Sequence, residues 1–426
     1  MDRVGKFELR ELLGEGATSA VYLAFDPFAQ RDVAIKRIYP EVLKDPDRGR
    51  LYRHLLINEA SLAGRLSHPH ITQIYDATVT EDDGYVVMEY VPGGTLEAFC
   101  RPDKLLPFDR LIEIIFKATR ALDYAYHQGI THRDIKPANI LLVAPDGQDI
   151  KLSDFGAALY SAADTTQISG VGSPAYMSPQ QVREVPLTHQ TDIYSLGVVM
   201  YQLLTGRLPF EASNNFSLLY RITNEAPPPP AALRPEIPPE LDAIVQRAMQ
   251  KELSERYETW VEFSHDLAHA FRNIGLTARK SAVSDTQKFQ TLRGQPFFRE
   301  FSDVELWEVV RFSEWRFAEP GTLVLKEGEP GDHFCFLARG EARVTKQGRL
   351  LSILTPGDCF GEMAVFSAGS GVRTASVEAS TEVEIIAVRG RALQRASDAC
   401  RMHFYKGFLE VLATRLSMTS ARYANA

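Results

Sequence analysis

Two groups of residues carry types and spacings that could do chemistry. In the first, Gly14-Glu15-Gly16-Ala17-Thr18-Ser19-Ala20-Val21 lies between two strand-like runs. Glycines let a turn fold tightly over a phosphate and offer it backbone N–H groups, although an ordinary hairpin turn has the same look. Val33-Ala34-Ile35-Lys36 follows and places a lysine inside a β-run. A charge there is costly unless paired, and Glu59 on the next helical stretch is its natural partner. The plain alternative is an edge-strand lysine and a solvated glutamate. Further on come His132-Arg133-Asp134-Ile135-Lys136-Pro137-Ala138-Asn139 and, after the strand-like run 149–153, Asp154-Phe155-Gly156. Each piece alone could be chance; four pieces in this order and spacing are not.

The second group is Pro356-Gly357-Asp358-Cys359-Phe360-Gly361-Glu362-Met363-Ala364, followed by Arg373-Thr374-Ala375-Ser376-Val377. A Gly that opens a short helix leaves N–H groups for a phosphate. The adjacent Glu can accept from a ribose hydroxyl, and an Arg can pair with the phosphate.

These residues need elements to hold them. Strand-like runs cover 7–16, 19–26 and 32–39, and apolar residues recur at helical spacing over 51–66, 108–127 and 239–251. The stretch 192–204 is apolar nearly all round and reads as a buried helix. Pro227 to Pro230 reads as a stiff surface loop rather than a polyproline ligand. Over 275–291 the periodicity is lost and the chain turns polar, which marks a boundary. Beyond it a short helix (302–312) precedes Gly-punctuated short strands, then helix returns from 392 to 418, the pattern of a β-roll with flanking helices. The expected domains are 1–275 and 296–426, joined by a linker over 276–295.

The 426 residues carry 47 Lys and Arg against 55 Asp and Glu, a formal net charge of −8, which excludes a broad electrostatic grip on nucleic acid or anionic lipid. Four scattered cysteines form no CxxC pair and read as reduced thiols. With no apolar leader at the start and no stretch long enough to span a membrane, the expectation is a soluble, cytoplasmic protein.

From about Phe7 to Phe271 the chain resembles the eukaryotic-type protein kinases, matching the Gly-rich loop, V-A-I-K, H-R-D and D-F-G in order. The resemblance implies a bilobal α+β fold, an N-lobe antiparallel sheet with one helix and a mostly helical C-lobe, using ATP and Mg²⁺. It implies that Gly14, Gly16, Val21, Ala34, Met88, Glu89 and Val91 line the nucleotide site, Met88 as gatekeeper. Lys36, fixed by Glu59, would hold the α- and β-phosphates, and Asn139 and Asp154 would chelate the metal. Asp134 would accept the substrate hydroxyl proton, and Lys136 would balance charge on the moving phosphoryl group. Lys136 resembles the branch that phosphorylates Ser and Thr of protein substrates. Arg133 beside Asp134 suggests control by phosphorylation at Thr165, Thr166, Ser169 or Ser173; a merely polar loop is the equal alternative.

Two departures stand out. Ser19 replaces the loop's third glycine, and the usual A-P-E reads Ser178-Pro179-Gln180, so Arg256 is expected to lack a charged partner.

Residues 297–422 resemble cyclic-nucleotide-binding domains. By that resemblance Glu362 would bind the ribose 2′-OH and Arg373 the cyclic phosphate of cAMP or cGMP. Gly361, Met363, Ala364, Thr374 and Ala375 would line the cassette; Thr374 does not decide the base. The eleven residues from Glu362 to Arg373 exceed the commonest family spacing, with the extra length at 367–371. The expected function is a Ser/Thr protein kinase modulated by a cyclic nucleotide. The rivals are a constitutive kinase whose β-roll is a ligand-free dimerisation or docking module, and a pseudokinase scaffold. Ala278-Arg279-Lys280-Ser281-Ala282 is the nearest thing to a pseudosubstrate, and a solvated linker explains it more simply.

Overall fold

The computed structural model describes residues 2–46, 49–62, 64–80, 83–155, 159–160, 174–275, 283–366 and 371–424. The candidate phosphorylation sites Thr165, Thr166, Ser169 and Ser173, the linker serine Ser281 and the inserted run 367–370 lie outside them, as does Gly156. The chain forms two compact units, residues 1–280 and 281–426.

The first unit opens with β1 (Arg3–Val4), β2 (Phe7–Glu15), β3 (Ser19–Asp26) and β4 (Arg31–Ile38), then α1 (Pro40–Leu43), α2 (Gly49–Ser61), β5 (Ile74–Val79) and β6 (Gly84–Glu89). The six strands make one antiparallel sheet in the order β1-β2-β3-β4-β6-β5. Strand alternation sends Val33 and Ile35 to one face, against Phe7, Tyr85 and Val87. Ala34 goes to the other face, where it packs with Met88, Val86 and Leu56 of α2. Helix α2 therefore docks on the face that carries Lys36.

Helical structure dominates the rest of the unit: α3 (Phe108–His127), α4 (Pro179–Val182), α5 (Gln190–Thr205), α6 (Asn215–Asn224), α7 (Pro230–Leu233), α8 (Pro239–Ala248) and α9 (Trp260–Gly275). Among these run the short strands β7 (Ile130–Thr131), β8 (Ile140–Leu142), β9 (Ile150–Leu152) and β10 (Leu159–Tyr160), in the pairs β7–β10 and β8–β9. Helix α5 is buried along nearly its whole length, as its all-round apolar sequence demands, and ends on Gly206 in the left-handed region. Pro230 opens α7.

The second unit begins with α10 (Asp285–Gly294), inside the stretch expected to be linker. It opens with a capping box between Ser284 and Gln287, and the Phe289 ring lies tilted against Trp307 with centroids 4.7 Å apart. Only Thr286, Phe289 and Leu292 of this helix are buried, too few to impose a visible period on the sequence. After α11 (Asp303–Phe312) come eight strands: β11 (Ser313–Ala318), β12 (Leu323–Leu325), β13 (His333–Arg339), β14 (Ala342–Lys346), β15 (Arg349–Leu354), β16 (Cys359–Phe360), β17 (Ser376–Ala379) and β18 (Val383–Arg389). They form two four-stranded sheets, β11-β18-β13-β16 and β12-β17-β14-β15. The two sheets share a core that includes Leu325, Leu337, Val377 and Ile385. Helix α12 (Glu362–Phe366) interrupts the strands, and α13 (Gly390–Leu393) and α14 (Asp398–Ala424) follow them. Phe404 and Phe408 of α14 join Phe297, Phe298, Phe334 and Phe336 in an aromatic cluster.

Gln180 is buried in α4, and the structure shows how Arg256 manages without a carboxylate. Its guanidinium donates to the carbonyls of Gln250 (2.9 and 2.6 Å), Gln190 (2.8 Å) and Lys251 (3.2 Å), and to Oε1 of Gln180 (3.1 Å). The Gln180 amide nitrogen donates to the Lys251 carbonyl at 2.9 Å. Gln is thus used at both ends, where Glu would set an acceptor against that carbonyl. Burial lowers the Arg256 pKa to about 10, which leaves it charged at neutral pH. Replacing Gln180 with Leu strands a buried donor and acceptor. The expected cost is about 1–3 kcal/mol, read as a fall of roughly 3–10 °C in the calorimetric melting temperature of this unit.

Candidate functional site

In the first unit the sheet and the helical part each supply one half of a polar cluster. Lys36 on β4 points to the α2 face, where its Nζ donates to Oε2 of Glu59 at 3.2 Å and to Oδ1 of Asp154 at 2.5 Å. Burial would strip the proton from Lys36, but the two carboxylates outweigh it and hold its pKa above the usual lysine range. Burial pushes the Glu59 carboxyl up against the pull of Lys36. Asp154 is held low because Lys36 outweighs its own burial.

The other half hangs from a carboxylate at the start of α5. Asp192, itself buried, accepts the backbone N–H of His132 and of Arg133, each at 2.7 Å. Burial raises its pKa despite those bonds. Gln181 of α4 adds a bond from its amide nitrogen to the Arg133 carbonyl at 2.9 Å, and His132 Nε2 lies 3.0 Å from the Ser153 carbonyl. Arg133 and Asp154 take left-handed backbone angles (φ +68° and +63°), a strain that side chains other than Gly, Asn and Asp seldom bear. These bonds hold that strain in place.

On this frame, Lys136 Nζ and Asn139 Nδ2 both donate to Asp134 Oδ2, at 2.7 and 3.1 Å, and Asn139 Nδ2 also reaches the Asp134 carbonyl at 2.8 Å. Asp134 therefore keeps Oδ1 clear of both bonds, and Asn139 keeps its amide oxygen clear of its own two. The N–H of Ser153 donates to the Asn139 carbonyl at 2.9 Å, which sets Asp154 beside Asn139. Among the described residues no cluster of three or more His, Cys, Asp and Glu could hold a metal unaided. The carboxylate of Asp154 and the amide oxygen of Asn139 fit a cation such as Mg²⁺, which takes one or two protein oxygens and completes its shell with phosphate and water.

Next to Lys36, strand register sets Val21 opposite it and Ala34 opposite Met88, with Glu89 one residue on. Lys151 on β9 pairs with Glu89 at 2.8 Å. Gly14 and Gly16 sit at the tip of the β2–β3 hairpin. A Cβ built at Gly14 meets no atom within 4 Å, and at Gly16 the nearest is 3.6 Å away. The packing itself does not require these glycines, and the space beside them is open. Val91 lies just past β6, half-buried.

In the second unit Gly361 precedes α12, which carries Glu362, Met363 and Ala364; Glu362 and Ala364 are buried and Met363 is exposed. Arg373 is 5% exposed, and its Nη1 donates to the carbonyls of His333 (2.7 Å) and Gly361 (2.9 Å). Its Nη2 is buried without a hydrogen-bond partner. A Cβ at Gly331 would stand 2.2 Å from Arg373 Nε, so a larger residue there would displace the guanidinium. Burial lowers the pKa of Arg373. Thr374 is exposed and Ala375 half-buried beside it.

Arg415 of α14 has no counterpart in the sequence reading. Its Nη1 donates to Glu362 Oε1 at 2.6 Å and its Nη2 to the Cys359 carbonyl. Fifty-three residues separate it from Glu362, so no local spacing could have pointed to it.

Residues 7–270 match the model of the protein kinase domain, and residues 315–399 that of the cyclic nucleotide-binding domain. Similar proteins include the serine/threonine-protein kinase PknB of Mycolicibacterium smegmatis, 37% identical over 300 residues (68% of this chain, 47% of that protein). PknB of Mycobacterium tuberculosis is 38% identical over 270 residues (62% and 42%). A probable serine/threonine-protein kinase of Clostridium acetobutylicum is 34% identical over 286 residues (67% and 41%). The chain spans less than half the length of these relatives. On a domain match that covers more than half of its residues, the chain belongs to the protein kinase family.

Proposed function

We propose that the first unit transfers the γ-phosphoryl group of ATP to Ser or Thr of a protein, and that the second unit binds a cyclic nucleotide that modulates it. The observation that carries the first half is the Lys36 ammonium held between Glu59 and Asp154, with Asp134, Lys136 and Asn139 anchored by Asp192. Lys36 binds the α- and β-phosphates; Glu59 keeps its charge in place. Asp134 takes the hydroxyl proton on Oδ1 as the hydroxyl oxygen bonds to phosphorus and the bridging oxygen leaves with ADP. Lys136, tied to Oδ2, neutralises charge on the moving group. Mg²⁺ at Asp154 and Asn139 supplies charge neutralisation at the phosphate oxygens. Val21, Ala34 and Met88 give the base an apolar seat. With Mg²⁺ and labelled ATP, the purified chain is expected to phosphorylate itself or a general protein substrate. Asp134→Asn should cut kcat by about 10²–10⁴-fold. Wild type that binds ATP and transfers nothing would return the chain to a scaffold.

For the second unit, the supporting observation is the unsatisfied Nη2 of the buried Arg373, a group that a phosphate oxygen would complete. Glu362 can accept from a ribose hydroxyl on the oxygen that Arg415 does not hold. A ligand there shares Glu362 with Arg415 and so acts on α14, which gives it different affinities for different positions of that helix, the requirement for any regulation. Calorimetric titration of the full chain with cAMP and cGMP is expected to give a heat for at least one. Arg373→Ala should weaken it about ten- to hundredfold. No binding of either nucleotide removes this half and leaves the kinase reading intact.

One observation favours the dimer-module reading as well. Met402, Tyr405, Leu409, Leu412 and Leu416 are 39–69% exposed, on the side of α14 away from the buried Cys400, Phe404 and Phe408. Their spacing of 3, 4, 3 and 4 is that of a coiled-coil seam. Of the charged residues flanking the seam, Lys406 is paired with Glu300 and Arg415 with Glu362. Light scattering at about 10–50 µM should give twice the chain mass, and Leu409→Glu with Leu416→Glu should halve it. A monomeric wild type at those concentrations removes this reading.

A further inference from the structure

The tip of the β2–β3 hairpin has backbone freedom, since Gly14 and Gly16 flank Glu15 and neither is crowded. Strand pairing reaches up to Glu15 opposite Ala20, and Gly16 N–H donates to the Ser19 carbonyl at 2.9 Å. Two further bonds reach the tip, and both come from Tyr39, the residue immediately after β4. The Tyr39 N–H donates to the Thr18 carbonyl at 3.0 Å, and its hydroxyl donates to Glu15 Oε1 at 2.7 Å. One bond holds each limb of the loop. The phenol is kept protonated because Glu15 accepts its hydrogen bond, with a pKa of about 12, so it donates throughout the physiological range.

A hydroxyl donating to a carboxylate is among the stronger neutral-to-charged hydrogen bonds. Lys36 sits opposite Val21, two strand positions from Ser19 at the end of the loop, and binds phosphate only if the loop lies over it at the right height. Ordering a glycine-rich segment costs backbone entropy, and a loop ordered in advance spares the ligand that cost. Two ties from one residue directly after the lysine strand couple loop height to the strand that carries Lys36.

We propose that Tyr39 is a positioning residue for phosphoryl transfer, tethering both limbs of the Gly14–Ser19 loop through Thr18 and Glu15 so that the loop is pre-set for the ATP phosphates. This rests on the kinase reading above. Tyr39→Phe and Glu15→Ala, each in the full chain, are expected to raise KM for ATP about three- to tenfold with kcat changed by less than about twofold. The double variant should be no worse than either single one, since both remove the same bond. Glu15→Gln keeps an acceptor and should stay near wild type. Amide exchange at residues 14–19 should speed up in Tyr39→Phe, with no change across the β8–β9 pair. An unchanged KM with unchanged exchange in Tyr39→Phe, or single effects that multiply in the double variant, overturns the tether. If wild type transfers no phosphate, the kinase reading falls, while the exchange rates still decide whether Tyr39 holds the loop.

Discussion

A lysine ammonium enclosed by two carboxylates governs the first unit. Glu59 is nearly fully buried and Lys36 is 17% exposed, so water does little to screen them. Burial acts against the charge on all three; Lys36 offsets it for each carboxylate and the carboxylates offset it for Lys36, while the two acids work against each other. Glu59 comes from α2, Lys36 from β4 and Asp154 from the turn after β9, so the triad fixes the helix, the sheet and the turn in one arrangement. Take away the cation and two acids face each other, one of them nearly fully buried. The packing of α2 through Leu56 against Ala34 and Met88 is then the apolar frame for an ionic purpose.

The same economy recurs at Asp192. One buried carboxylate takes two consecutive backbone N–H groups and so holds Arg133 in a conformation that a side chain of its size resists. The strain falls one residue before Asp134 and again at Asp154, where the chain must turn a carboxylate toward the cleft. In the second unit Arg373 plays the converse part. Its guanidinium is buried against Gly331 and Gly361 and lacks one partner, which is a cost in the free protein and an opening for an anion.

Much of this was legible in the sequence. β2, β3 and β4 are legible as β-rich runs between turns, and α3 runs from Phe108 to His127 because its apolar positions recur at the helical period. Lys36 meets Glu59 as their types and order implied, and Asp134, Lys136 and Asn139 lie together as the family resemblance implied. What escaped depends on backbone atoms or on long-range neighbours. Arg256 looked short of a partner because carbonyl positions are invisible in a sequence; four carbonyl bonds serve it. Helix α10 escaped because its polar surface hides three buried side chains, and its Ser284–Gln287 box is a weak signal inside a polar run. The Tyr39–Glu15 bond spans 24 residues and joins two surface groups that no pattern links.

The Arg415–Glu362 ion pair bears on where the second unit truly ends. The matched stretch closes at residue 399, sixteen positions before Arg415, yet Glu362 is only 3% exposed and leans on that arginine for its counter-charge. A protein cut at the end of the matched stretch would contain every signature residue of the cassette and yet lose the guanidinium that pairs with Glu362 and the helix that carries it. The recognisable motif and the electrically complete module are different lengths of chain, and the terminal helix is the difference.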